Sequence, residues 1–477
     1  MNTRLISRRQ MLRSCLVTTV GSILAACGQP APTTSPLTGE PAEAIQPTVA
    51  PKAPAPTVAE EQTIIYWTWS ESNRPHFEAQ IKRWNEERGA PRLKLDFVMV
   101  AGPEEAIQKG MNAMAAGSDV PDILTIETTF FSRFLKGDPP ICEKYLTDIT
   151  PKLDLFNPNW REEYVGFAPY TWQGKTYGVE VGLAPTGYYY RKDIFDEVGI
   201  AMPLETWEDF MAAGLKMKEA GHAMFAIDML YPWGAFLMDL YQAGGALFNE
   251  AGELTIESEQ AYKALELNIV GVQQGIRWPA EAYWGAPHYA ALNDGSVVGV
   301  LSAIWYGPHV LKPNVAEEHR GKWRVQHAPA WKTTPPWGGP GFSTAKSSTS
   351  GGTCLAVPKQ GDHPDLTFDW LAFAFLTKEG AASVFQNMGQ MPMLRSVIHD
   401  DSVTNVPDEF YGGQAVNKVF ADIADDIPPR YPHPFWSEAT TELGNVLAPA
   451  FIEGEPQDYQ GLIAEAARRI RDVIAAA

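Results

Sequence analysis

The stretch that most constrains this chain runs from Thr176 to Phe210, TYGVEVGLAPTGYYYRKDIFDEVGIAMPLETWEDF. Pro185 stands in the middle of what otherwise reads as one long β-strand. Proline has no backbone N–H to offer a neighbouring strand, and the glycines on either side, Gly182 and Gly187, admit dihedrals that other residues avoid. One sheet should therefore end near Ala184 and another begin just beyond it. After three tyrosines the pattern turns helical. Thr206 reads as an N-cap with Asp209 three residues on, and Trp207, Phe210, Met211, Gly214 and Leu215 share one face up to Gly221. A chain crossing between two α/β lobes has this form.

The elements before the crossover alternate. Thr63 to Trp69 reads as a strand, and Pro75 opens a helix with Phe77, Ile81 and Trp84 inward until Gly89. Leu93, Leu95, Phe97 and Met99 alternate as a second strand, Pro103 opens a second helix, and Pro121 to Ile126 is a short buried strand. Strand, helix, strand, helix, strand predicts a parallel sheet with helices on both faces, and ligands on such sheets collect at the carboxyl ends of the strands. Those ends carry Trp67, Trp69 and Glu71, then Glu127 and Thr128.

A second set follows the crossover. Phe225 to Met229 is strand-like, the helix after it has Trp233, Phe236, Leu237, Leu240 and Tyr241 on one face, and Ser258 caps another. Val297 to Ile304 reads as a buried strand leading into Trp305 and Tyr306. Ala330 to Gly352 is rich in Pro, Gly, Ser and Thr, GGTCLAVPK restores a strand, and a helix through Leu462, Ile470 and Ile474 closes the chain.

The first 26 residues have the form of an export signal. Arg4, Arg8, Arg9 and Arg13 make a basic head, and the apolar run from Ser14 to Ala26 is too short for a permanent membrane span. Leu24-Ala25-Ala26-Cys27 resembles a lipobox, with Cys27 the lipidated residue, and Ser7 to Leu12 resembles a twin-arginine signal, so both export routes stay open. Residues 27–62, dominated by Pro, Ala and Thr, are expected to form a disordered tether. Removing residues 1–26 takes four of the 38 basic residues and none of the 57 acidic ones, leaving a formal charge of −23. Such a surface repels nucleic acid and anionic lipid. Cys142 and Cys354 are expected as two buried thiols rather than a disulfide.

No GxSxG elbow, HExxH, CxxC or phosphate-cradling loop is present, so no cofactor or metal is implied and an enzyme is not expected. Fifteen tryptophans are present, several at strand ends and in loops. Sugars lay flat patches of C–H on aromatic faces and need donors and acceptors at the rim. Trp67 or Trp69 with Glu71, Glu127 with Thr128, Tyr188, Tyr231 with Trp233, Trp284, Trp305 with Tyr306, and Trp436 are the candidate ligand-binding residues. A Glu–Asp pair of a glycan-cleaving enzyme and a ferric site on the adjacent tyrosines are the alternatives.

YGVEVG, YYYRKDIFDEVGI, the Pro-x-x-TWEDF run, PDILTI and FLTKEG together resemble family 1 of the extracellular solute-binding proteins of ABC importers, which includes maltose-binding protein. Glu180, where the family has proline, and Arg191, where it has asparagine, are departures. The resemblance implies a two-lobed periplasmic-binding-protein fold of type II, an α/β architecture in which each lobe is a mostly parallel sheet flanked by helices, joined by hinge crossovers. It places 63–184 plus 330–376 in the N-terminal lobe and 185–329 plus 377–477 in the other. It also implies sugar-stacking roles for Trp305 and Trp436, a carbohydrate ligand, delivery to an ABC permease with its cytoplasmic ATPase, action as a monomer, and a lipid-anchored position outside the cytoplasmic membrane.

Overall fold

The computed structural model describes residues 61–453 and 458–476. The export signal, Cys27 and the tether up to residue 60 lie outside them. The first strand spans Glu61–Thr68, starting two residues ahead of the expected Thr63.

In the first lobe, the strands Arg92–Met99, Glu61–Thr68 and Ile123–Glu127 lie side by side and parallel. Helices Arg74–Glu87 and Pro103–Ala116 connect them, each with a proline in its first turn, where the missing N–H costs nothing. Two strands from far along the chain complete this sheet. Thr353–Ala356 runs antiparallel to Ile123–Glu127, and Val179–Glu180 pairs with it on the outer side.

Six residues after Glu180 the chain is in a different sheet. Thr186–Arg191 is the centre of the second lobe, flanked antiparallel by Gly299–Ala303 and Trp323–His327. Phe225–Asp228 with Arg277–Ala280 is the parallel strand pair there, beside the single parallel bridges Ala223–Val297, Thr206–Ala330 and Lys332–Gly338. The expectation of a mostly parallel sheet thus fails at the middle of this lobe. Parallel neighbours require a helical crossover between them, whereas this central strand is delivered straight from the hinge. Tyr188 and Tyr190 stack on one face of the strand, against Phe195, and Tyr189 lies on the other, near Tyr306, Tyr411 and Phe420.

The helix Trp207–Glu219 starts with a full capping box. Thr206 Oγ1 accepts from the Asp209 N–H at 3.3 Å, and Asp209 Oδ2 accepts from the Thr206 N–H at 3.1 Å. Trp207 and Phe210 are buried, but Leu215 is 44% exposed, beyond the edge of the apolar stripe. Behind Trp207 a buried Arg277 pairs with Asp239 at 3.0 Å and lies over the rings of Trp207 and Phe225. Cys142 and Cys354 are buried free thiols, and burial pushes Cys142 up to about 11.

The chain passes between the lobes at 181–185, again at 349–352, and a third time between 395 and 409. The expected lobe boundaries shift accordingly. Ala330 bonds to Glu205, Ser343 to Ala243 and Ser348 to Thr186, so 330–348 packs on the second lobe. Ser383 bonds to His76 and Met393 to Val165, so 377–394 packs on the first. In both cases the hinge, not the change in composition, sets the border.

Glu180 ties two of these passes together. Its Oε2 accepts from the Tyr170 hydroxyl at 2.6 Å, and its Oε1 accepts from the Thr353 N–H at 2.9 Å and the Gly182 N–H at 3.5 Å. The strand leaving the first lobe is thereby clamped to the strand re-entering it. Gly352, at φ +117°, completes the clamp, because a Cβ there would fall 2.6 Å from Thr128 Oγ1.

Burial pushes the Glu180 carboxyl from its ordinary 4.5 up to about 7, with its hydrogen bonds and Arg430 pulling the other way. Between those values the folded chain holds a proton that the unfolded chain has released. The contribution of Glu180 to stability should therefore fall as pH rises from about 4.5 through about 7, at up to about 1.4 kcal/mol per pH unit. The histidines His76, His288, His309 and His433, all pulled down by burial, act in the opposite sense. In urea unfolding across this range the native protein should lose stability relative to Glu180→Gln as pH rises, by up to about that slope, since the histidines contribute equally to both.

Candidate ligand-binding cleft

The carboxyl ends of the strands converge on one cleft of about 1570 Å³ lined by both lobes. On the first-lobe side, the Glu61–Thr68 strand releases the chain into Trp69, Ser70 and Glu71, and the Ile123–Glu127 strand ends on Glu127 itself. Glu127 caps the short helix Thr128–Phe131, accepting from the Thr129 N–H at 2.9 Å and from the Thr129 hydroxyl, both on Oε2. Burial pushes its carboxyl upward, and the nearby Arg430 acts against that.

The second lobe supplies aromatic rings. Trp305 follows the Gly299–Ala303 strand, and its indole N–H donates to the Ser350 carbonyl at 2.8 Å in a hinge segment. The Trp284 ring lies within 25° of parallel to it, with centroids 6.1 Å apart. Trp233 opens the helix Trp233–Gln242, meets Tyr231 at 5.9 Å and stands edge-on to Trp436 at 5.4 Å. Trp436 is only 7% exposed, so it floors the cleft while belonging to the core of its own lobe.

Trp69, Glu71, Glu127, Tyr231, Trp233, Trp284, Trp305 and Trp436 are thus brought to one cavity. Four candidates are not. Tyr188 is fully buried in the second-lobe core, where its hydroxyl donates to the Met224 carbonyl at 2.9 Å. Tyr306 is also fully buried, its hydroxyl 3.3 Å from His288 Nε2. Thr128 turns to the Tyr170 hydroxyl at 2.7 Å and becomes part of the hinge packing. Trp67 lies within the strand, in register between Val98 and Leu124, and does not reach the cleft. Strand alternation sends neighbouring residues to opposite faces, and the sequence did not show which face met the gap.

Asp228 and Arg430 are among the cleft residues that the sequence did not reveal. Asp228 ends the Phe225–Asp228 strand, its Oδ1 accepting from the Leu230 N–H at 2.9 Å and its Oδ2 from the Trp284 indole at 2.6 Å. Burial raises its carboxyl. Its place at a strand end was the signal that could have found it. Arg430 donates to the Gly351 carbonyl at 2.6 Å and sits 5.7 Å from the Trp436 ring. The loop that carries it has no periodicity to reveal it.

Outside the lining, the lobes touch directly. Ser437 Oγ lies 2.7 Å from Ser132 Oγ and donates to the Thr129 carbonyl at 3.1 Å, and Lys136 forms an ion pair with Glu438. The second oxygen of Glu438 is buried without a partner.

The arabinooligosaccharide-binding protein of Bacillus subtilis (strain 168) is similar to this chain, 27% identical over 389 residues that span 80% of this chain and 85% of that one. The lactose-binding protein of Rhizobium radiobacter is 27% identical over 430 residues, 84% of this chain and 91% of that one. Among solved structures, the sugar-binding protein MalE from Xanthomonas citri superposes with a TM-score of 0.69 at 18% identity, over 87% of this chain and 98% of that one. The binding protein from B. animalis subsp. lactis Bl-04 in complex with beta-1,6-galactobiose superposes with a TM-score of 0.66 at 20% identity, over 87% and 97%. At such identities the superpositions establish the shared periplasmic-binding-protein fold. The model of the bacterial extracellular solute-binding protein family matches residues 79–410. A cleft walled by both lobes and crossed by three hinge passes fits that match, and the chain belongs to the bacterial extracellular solute-binding protein family.

Proposed function

We propose that this protein is the sugar-binding receptor of an ABC importer, taking an oligosaccharide between its lobes and presenting it to the permease. The observation that carries this reading is the pairing of aromatic rings with carboxylates in one cleft, Trp69, Glu71 and Glu127 from the first lobe and the Trp305–Trp284 and Trp233–Trp436 pairs with Asp228 from the second. A sugar ring fits between such walls, its C–H face on Trp305, Trp284 or Trp233 and its hydroxyls toward Glu127, Glu71 and Asp228. Two relatives named for arabinooligosaccharide and lactose binding support the ligand class. The family is one of binding proteins, which sets aside a glycan-cleaving enzyme. The adjacent tyrosines are buried within the second lobe, which removes the basis for a ferric site.

Ligand contacts from both walls exist together only when the lobes are closed, so binding shifts the population toward that state. The protein acts as a monomer, because closure needs no second subunit. Lipidation at Cys27 holds it outside the cytoplasmic membrane, and the Pro-rich tether gives the lobes reach toward the permease.

Titration with neutral oligosaccharides, followed by tryptophan fluorescence and melting temperature, should give saturable signals. Trp305→Ala should weaken the best ligand by about tenfold to a hundredfold. Silence across the whole panel would overturn the reading. Lys136→Ala combined with Ser437→Ala should weaken the same ligand by about threefold to tenfold by depopulating the closed state. Small-angle scattering of the unliganded double variant should then show a larger radius of gyration.

A further inference from the structure

The charged groups of the cleft divide into those already matched and those that are not. At the rim, Glu71 pairs with Arg74 at 2.5 Å, Glu104 with Arg133 at 2.6 Å, and Glu105 with Lys109 at 2.5 Å. Each of these acids carries its own cation. The interior differs. Glu127 on one lobe and Asp228 on the other have no cation within ion-pair distance, and both are held by neutral donors, Thr129 in one case and Leu230 and Trp284 in the other.

Few positive charges are left for a ligand. His309 lines the cleft, but burial pulls it down to about 4, so it is uncharged at neutral pH. Arg430 gives one N–H to the Gly351 carbonyl, and its charge acts on Glu127, Glu180 and Tyr241 together. The interior thus holds two carboxylates, Glu127 and Asp228, without an ion-pair partner of their own. Both hydrogen bonds to Glu127 fall on Oε2, which leaves Oε1 to take a donor from a ligand. Each oxygen of Asp228 has taken one donor and has room for another.

We propose that Glu127 and Asp228 make this receptor selective for uncharged, hydroxyl-rich glycans and exclude uronate-bearing glycans of the same length. This inference rests on the sugar-receptor reading. A hydroxyl donates to a carboxylate and relieves part of its desolvation. A uronate carboxylate brings only acceptors and a like charge, facing two carboxylates that no cation pairs with.

The test is calorimetric titration of the full chain with neutral galacto-, arabino- and gluco-oligosaccharides and with oligogalacturonides and oligoglucuronides of matched length. Neutral ligands should bind, with their uronate counterparts at least about a hundredfold weaker. Raising the salt concentration should narrow that gap in the native protein, since screening weakens like-charge repulsion. Glu127→Gln with Asp228→Asn should narrow it by about tenfold or more, through loss of the neutral ligand, gain of the acidic one, or both. Uronates binding within tenfold of neutral glycans, or a gap indifferent to salt, would overturn the selectivity while leaving the receptor reading intact. If neither class binds, the receptor reading falls and takes this inference with it.

Discussion

Two lobes can move as units only if the segments between them are held firmly at each end and left short in the middle. The Glu180 carboxylate meets that requirement. It sits at the last strand position of the first lobe, gathers the Tyr170 hydroxyl and the N–H groups of Gly182 and Thr353, and so joins the outgoing pass to the returning one. Beyond it, Pro185 prevents the strand from continuing in the same ladder, and the chain is free to enter a second sheet. A buried carboxylate with hydrogen bonds to two passes is a costly device unless every acceptor is used. Burial, which raises this carboxyl to about 7, makes the hinge clamp sensitive to pH near neutrality.

The cleft follows from where the strands end. Parallel strands in the first lobe all point their carboxyl ends at the gap, which delivers polar residues from tight turns and helix caps, Glu127 among them. The second lobe reaches the gap with strand ends and helix starts rich in tryptophan. Each lobe supplies only part of the aromatic and hydrogen-bonding surface, so neither wall alone is a good site. A ligand that uses both gains most when the lobes meet, and this couples recognition to closure.

Direct contacts between the lobes add to that coupling. The Ser132–Ser437 and Lys136–Glu438 contacts lie outside the lining, so they stabilise closure without reference to what is bound. They are also incomplete, since one Glu438 oxygen is buried without a donor. A half-satisfied pair across an interface is weak, and a weak latch suits a receptor that must reopen.

The sequence alone determined what local rules control. Pro185 between glycines marked the crossing, Thr206 with Asp209 marked a helix start down to its capping box, and prolines in first turns marked two more. The alternation of elements also placed the site at strand ends, because that rule depends on chain direction and not on distant contacts. What the sequence left undecided were the questions of facing and of long-range pairing. Tyr188 and Tyr306 have the composition of ligand residues but sit on strand and loop positions that turn into the core, while Arg430 carries no local pattern and reaches the cleft only because elements far apart in the chain converge there. The lobe borders moved for the same reason: residues 330–348 and 377–394 go to whichever lobe their hydrogen-bond partners occupy. Periodicity is a property of a segment, whereas the direction a side chain faces is set by what packs behind it, and only the tertiary structure supplies that.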